Sequence, residues 1–204
     1  MKTKNPEIST SVFTAYILAG GKSSRMGTDK GLMMFEGEPM IKRIIDRLQQ
    51  VVEKVVVISD NPFYKDFDVE VIGDVIRNIG PAGGIYSAMH HEPERSFFVV
   101  SCDMPFITPA AVRYVISEGS GSPIALPFFQ NQWQPLFGLY SGSCMEKWGA
   151  LINNGHTKLK EMVTHFNVKK LQVDDEPVFN DRLFTNLNDK RDLENALKFS
   201  YHES

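Results

Sequence analysis

Short apolar runs alternate with amphipathic stretches along most of the chain. Phe13–Leu18 is an apolar run that ends at Ala19-Gly20, and Lys54–Ser59 carries the β-branched series Val55, Val56, Val57 and Ile58. Both read as buried strands. Between them, Pro39–Gln50 sets Ile41, Ile44, Ile45 and Leu48 at helical spacing, with proline suited to the first helical position. Asp60-Asn61-Pro62 breaks the chain, and Val69–Ile72 follows as a short strand closed by Gly73-Asp74. Gly80-Pro81-Ala82-Gly83-Gly84 predicts a turn leading into a helix through about His91. Phe97–Ser101 is the next buried strand, with Asp103 just past its end. Thr108 reads as an N-cap, with Pro109 opening a helix to about Ser117. Glu118–Pro123 is a Gly/Ser loop. Further strands are expected near Ile124–Leu126, Leu136–Tyr140 and Val168–Val173, and helices near Ser143–Asn153, Lys158–His165 and Lys190–Phe199. Such alternation predicts an α/β fold, a mostly parallel central sheet with helices on both faces. One domain is expected over residues 1–204, with its core from about 12 to 199 and frayed segments at Met1–Thr10 and Tyr201–Ser204.

Composition narrows the function classes. The 204 residues are 42% hydrophobic and 23% charged, with a formal net charge of -3 and no block of like charge. A nucleic-acid surface would need a concentrated basic patch, so none is expected. A nucleotide ligand stays open, because a few N–H groups and lysines suffice for one triphosphate. Cys102 and Cys144 form neither a CxxC pair nor a Cys/His cluster, which favours reduced thiols and a cytoplasmic location. No apolar run is long enough to span a membrane. Lys2 and Lys4 before Val12–Gly20 imitate a signal peptide, but Glu7 intervenes and the run ends in a glycine-lysine loop, so it reads as a first strand.

In open α/β sheets, ligands bind outside the carboxyl ends of the strands. Three candidate sites fall there: the Gly20–Lys30 loop, Asp74 and Asp103. In the loop, Gly20, Gly21 and Gly27 let the backbone approach phosphate oxygens, while Lys22, Arg25 and Lys30 bring positive charge. It is not a Walker A loop, since the position that would need glycine is Tyr16, and the GxGxxG pattern is absent. Asp103 is a carboxylate of the kind Mg²⁺ takes together with substrate phosphate oxygens. The competing reading for Asp103 and Asp74 is a plain turn aspartate.

The string Leu18-Ala19-Gly20-Gly21-Lys22-Ser23-Ser24-Arg25-Met26-Gly27-Thr28-Asp29-Lys30 resembles the LAGGxSxRMGxDK signature of the molybdenum cofactor guanylyltransferases, within the larger nucleotidyltransferase superfamily. Gly80–Gly84 is similar to that family's GPLAG, Cys102-Asp103-Met104-Pro105-Phe106 to its CDMPF, and Phe184-Thr185-Asn186-Leu187-Asn188 to its FxNxN. The motifs stand in family order over nearly the whole chain. The resemblance implies a Rossmann-like nucleotidyltransferase domain that joins GMP from GTP to the terminal phosphate of molybdopterin and releases pyrophosphate. It assigns Leu18, Ala19 and Gly20 to guanine and ribose, Arg25 and Lys30 to the phosphates, and Asp74 to nucleotide recognition. Asp103 would hold Mg²⁺ and the nucleotide, Gly83 would lie against the nucleotide, and Asn186 and Asn188 would sit near the transferred group. Arg25, Lys30 and Asp103 are thus the catalytic candidates. Implied partners are GTP, molybdopterin or its molybdenum-loaded form, other molybdenum-cofactor biosynthesis proteins and acceptor molybdoenzymes.

Two departures stand out. Some relatives use an asparagine after the second strand, and here the sequence is Ile58-Ser59-Asp60-Asn61. Asp189-Lys190 replaces the Thr-Pro common after FxNxN, which changes how the last helix is capped. His90-His91 reads as a helix end, and Cys102 as a small buried hydrophobe. Spacing does not separate core from pocket for Trp133 and Trp148, and Gln132–Leu136 is placed near the acceptor only by resemblance. The rival readings are a sister transferase using CTP or a sugar-phosphate acceptor, and a nucleotide-binding protein without turnover. Sister enzymes carry LAAG where Leu18–Gly21 stands here, so the second glycine favours guanine.

Overall fold

A computed structural model describes residues 13–20 and 29–200. Arg25 and Lys22, like the predicted frayed ends, fall outside the described residues. The strands are β1 (Thr14–Leu18), β2 (Met34–Phe35), β3 (Glu38–Pro39), β4 (Lys54–Ile58), β5 (Glu70–Ile72), β6 (Ser96–Ser101), β7 (Ile124–Phe129), β8 (Gln132–Trp133), β9 (Phe137–Ser141) and β10 (Val168–Gln172). The helices are α1 (Met40–Leu48), α2 (Pro81–His91), α3 (Pro109–Gly119), α4 (Met145–Asn153), α5 (Leu159–Val163) and α6 (Lys190–Ser200).

Among the described residues the main sheet has eight strands in the order β10-β7-β9-β6-β1-β4-β5, with β8 paired to β7. β1 pairs in parallel with β4 on one side and β6 on the other, and β5 extends the parallel set beside β4. β9 is the exception: it runs antiparallel to both β6 and β7. The expected α/β architecture with a mostly parallel sheet is therefore what the chain adopts.

Side chains alternate across the sheet as a pleated strand requires. Ala15, Ile17, Val55, Val57, Phe98 and Val100 pack with Ile41, Ile44, Ile45 and Leu48 of α1 and with Val112, Val115 and Ile116 of α3. On the opposite face Tyr16, Leu18, Val56, Ile58, Phe97 and Val99 pack with α2 and with Trp148 and Ile152 of α4. Trp148 is fully buried and donates its indole N–H to the Ala82 carbonyl at 3.0 Å, which makes it a core residue. A third, smaller cluster joins Phe35, Met40 and Phe106 to Leu187 and Leu193, tying α6 to the β2–β3 hairpin.

Several boundaries differ from the sequence expectation for local reasons. α2 begins at Pro81, so most of the predicted turn is its first helical turn; only Gly80 lies outside, at φ 69 and ψ -153, a region open essentially to glycine. Pro39 caps α1 and closes β3, so it precedes the helix. β7 continues through Pro127 to Phe129, because proline loses a donor but keeps its carbonyl, which accepts from Gln134 N–H at 3.0 Å. The β7–β8 hairpin turns on Gln130 and Asn131, both left-handed at φ 47 and 61, without the Asn-Gly pair that advertises such turns. Asp189 caps α6, accepting from the N–H groups of Arg191 and Asp192 at 2.8 and 2.9 Å, and so does the work expected of the missing Thr-Pro. Cys102 and Cys144 are buried and not disulfide-bonded. No helix among the described residues is long and apolar enough to cross a membrane.

Candidate active site

The strand order reverses at β1: β4 and β5 are added on one side, and β6 returns to the other. A crevice forms at the carboxyl edge of such a switch point. Here it is a cleft of about 620 Å³. One wall is the end of β1, Leu18, Ala19 and Gly20, and the other is made by Asp74, Arg77 and the start of α2 at Gly80, Pro81 and Gly84. Ile58, Ser59, Asp60 and Asn61, after β4, form its floor, and Asp29 lies at one side.

Hydrogen bonds hold the strand ends together. Ala19 N–H donates to the Ile58 carbonyl at 3.0 Å, Cys102 N–H to the Leu18 carbonyl at 3.1 Å and Ser59 N–H to the Ile72 carbonyl at 2.9 Å. Ser59 Oγ donates in turn to the Ala19 carbonyl at 3.1 Å. A Cβ on Gly20 would make an ordinary contact with Asp74 Oδ2, at 3.5 Å, so the glycine and that carboxylate stand side by side in the cleft lining. Burial and the neighbouring Asp60 raise the Asp74 carboxyl above its ordinary range, against the Ser87 hydroxyl and Arg77, which lower it. The Arg77 guanidinium is engaged with Asp60, at 3.1 Å from Oδ2.

A second group sits where β6 ends. Lys30 Nζ donates to Asn188 Oδ1 at 2.7 Å and lies 3.5 Å from Asp103 Oδ2. Leu187 N–H donates to the Asp103 carbonyl at 2.9 Å, which fastens the C-terminal segment to the β6 end. Asp103 is buried, and no donor among the described residues reaches its Oδ1. An orphaned buried carboxylate oxygen is uncommon in native structures. It is the atom of this site best suited to a hard cation, whereas no group of three or more His, Cys, Asp or Glu gathers for a metal among the described residues.

The residues singled out from the sequence thus fall into two neighbouring groups. Leu18, Ala19, Gly20 and Asp74 line the cleft, while Lys30, Asp103 and Asn188 meet at its side. Asn186 is exposed on the segment that carries Asn188. Gly83 does not reach the cleft surface: a Cβ there would stand 2.7 Å from Ile79 Cγ1 and 2.8 Å from the Ile76 carbonyl oxygen, so this glycine lets the 76–79 loop close on α2, and Gly84 faces the cleft instead. Burial, with Asp103 and Asp29 adding to it, pushes the Cys102 thiol well above its usual range, in keeping with a packing role. Arg77 and Asn78, which line the cleft, and Tyr64, whose hydroxyl donates to Asp29, carry no motif in sequence. Only Tyr64 had a local signal, the Asn61-Pro62 pair that caps the turn holding it.

A family model described as a MobA-like NTP transferase domain matches residues 15–171. A probable molybdenum cofactor guanylyltransferase of Clostridium perfringens is 41% identical over 152 residues, covering 72% of this chain and 75% of that protein. One from Natranaerobius thermophilus is 30% identical over 195 residues, covering 91% and 95%. Among solved structures, molybdopterin-guanine dinucleotide biosynthesis protein A from Archaeoglobus fulgidus superposes with a TM-score of 0.79 at 23% identity, over 93% of this chain and 100% of that one, and shows the same fold. The chain belongs to the MobA-like NTP transferase family, the family of the molybdenum cofactor guanylyltransferases.

Proposed function

We propose that the chain transfers the guanylyl group of GTP to the terminal phosphate of molybdopterin, forming the guanine dinucleotide cofactor and releasing pyrophosphate. The observation that carries this reading is the meeting of Lys30, Asp103 and Asn188 beside a cleft at the sheet's switch point. Family membership supplies the substrate class.

The acceptor is a phosphate monoester, already anionic at neutral pH, so the protein need not remove a proton from it. Its task is in-line positioning and charge neutralisation. Lys30 places one ammonium group at the triphosphate, oriented by the Asn188 amide oxygen. Asp74 offers an acceptor to the N–H or O–H donors of base or ribose, and the N-terminal end of α2, at Gly80, Pro81 and Gly84, lines the same cleft, where the positive end of the helix dipole favours an anion. Arg25 is proposed for the phosphates on the family motif alone.

Mg²⁺ fits this site, because Asp103 Oδ1 is buried without a donor among the described residues and a single carboxylate leaves the remaining positions to phosphate oxygens and water. When bound it would supply Lewis-acid neutralisation of phosphate charge. A cytoplasmic location belongs to the same proposal, supported by two buried cysteines without a disulfide.

The test is to incubate the protein with Mg²⁺, molybdopterin and each of the four nucleoside triphosphates, and to identify any dinucleotide and pyrophosphate formed. GTP should give the product. Asp103→Asn, which keeps size but loses charge, should reduce turnover about a hundredfold or more with an unchanged melting curve. Comparable turnover with CTP would overturn the guanine assignment.

A further inference from the structure

Lys30 reaches its partners from an insubstantial support. It opens a single 3-10 turn, Lys30–Leu32, and one such turn has little stability of its own. A lysine side chain also has many rotamers to lose, so where its ammonium group lies depends on how firmly the backbone beneath it is held.

That backbone is held by Asp29, and Asp29 is held from behind. Its Oδ1 accepts from Gly31 N–H at 3.1 Å and from the Tyr64 hydroxyl. Its Oδ2 accepts from Asn61 Nδ2 at 2.9 Å. Both oxygens are therefore engaged, in contrast to Asp103, whose Oδ1 has no donor among the described residues. Tyr64 is fully buried, and burial, Cys102 and Asp29 together keep its phenol protonated, so it remains a donor throughout the working pH range. The ring also supports the turn directly. A Cβ on Gly31 would come within 2.5 Å of the Tyr64 hydroxyl oxygen and 3.3 Å of Cys102 Cβ, so the turn lies flat on these two side chains. Asn61 is itself fixed, with Oδ1 accepting from Phe63 N–H at 3.1 Å and its own N–H donating to Ser59 Oγ at 3.1 Å.

We infer that Tyr64 and Asn61 are positioning residues for Lys30: by holding both oxygens of Asp29 they set where the ammonium group meets Asn188 and Asp103. Asp29 is accordingly a brace and not a metal ligand. The same contacts join the Lys30 turn to the cleft wall through Ser59 and Ala19, so nucleotide and ammonium group share one rigid frame. The inference rests on the guanylyltransfer reading of the site.

The test is a double-mutant cycle on the full chain, with GTP, Mg²⁺ and molybdopterin, reading kcat and KM separately. Tyr64→Phe removes one oxygen and should lower kcat about tenfold or more, as small misplacements of a reacting or stabilising group do, with little change in KM for GTP. In a Lys30→Met background the same change should cost nothing further, because no ammonium group remains to be placed. Asn61→Ala, which removes the other donor to Asp29, should behave the same way and serves should Tyr64→Phe melt far below the parent. A loss of equal size in both backgrounds would show a general structural effect and overturn the inference, as would full activity of Tyr64→Phe and Asn61→Ala in the parent. Parent-level turnover by Lys30→Met would instead overturn the site reading itself.

Discussion

Asp103 and Asp74 stand at the carboxyl edge of one sheet, yet their surroundings set them apart. Asp103 lies beside the Lys30 ammonium group, whereas Asp74 is half-buried and faces Asp60, so its ionised form is disfavoured. A carboxyl raised in the folded state binds its proton more tightly there than in the unfolded chain. Its penalty is therefore absent below the ordinary carboxylate range, grows as pH rises through the folded value, and is complete above it. Asp74→Asn removes the charge at similar size. It should raise the melting temperature of the nucleotide-free protein at neutral pH, and that gain should vanish on acidification. The same variant should weaken GTP binding about tenfold or more, since hydrogen bonds to a charged acceptor are lost. A calorimetric scan against pH with a GTP titration checks both halves. Stabilisation without loss of GTP affinity would leave Asp74 a turn residue. No motif reveals this balance, because Asp60 and Asp74 follow different strands and meet only when β4 and β5 pair.

At the scale of elements, the positions of the longer strands were readable, whereas the two-residue strands β2, β3 and β8 and the direction of β9 were not. Phe137–Ser141 has the burial pattern of any inner strand, and only its place between β6 and β7 makes it antiparallel to both. Its exit is tightly packed. Gly142 donates its N–H to the Arg95 carbonyl at 2.9 Å, and a Cβ there would overlap the Glu92 carbonyl oxygen and stand 2.5 Å from the Pro93 carbonyl carbon. These are backbone atoms that cannot swing aside. Gly142→Ala should therefore destabilise the fold by about 1–3 kcal/mol, read as a lower melting temperature. The corner lies where Ser141 pairs with Ser96 at the start of β6, across the sheet from Asp103, so kcat of the folded fraction should be unchanged. A selective loss of kcat would mean that this corner is coupled to the site.

On the scale of the molecule, the site is assembled from distant parts of the chain. The cleft is built by β1, β4, β5 and α2, while Asn188, which orients Lys30, arrives from beyond β10. On the proposed reading, substrate binds only where these parts are together, so Mg²⁺ with GTP should stabilise the whole fold by mass action, by about 2.7 kcal/mol at a hundred times the dissociation constant. CTP at the same concentration should shift the melting transition less. Equal shifts with both nucleotides would remove the basis for guanine selectivity.

The residues themselves carried the α/β architecture and the sheet edge at which the candidate site residues stand. Periodicity reports which positions are buried, and the loops at Gly20–Lys30, Asp74 and Asp103 follow apolar runs whose carboxyl ends must share an edge in a parallel sheet. Folding settled the rest: the reversed direction of β9, the place of Gly84 instead of Gly83 in the cleft lining, the burial of Trp148, and the brace from Tyr64 and Asn61 through Asp29 to Lys30. Each of these depends on which segments become neighbours. A side chain's own periodicity says whether it is buried, but its partner is chosen by sheet order and register, which are properties of the whole chain.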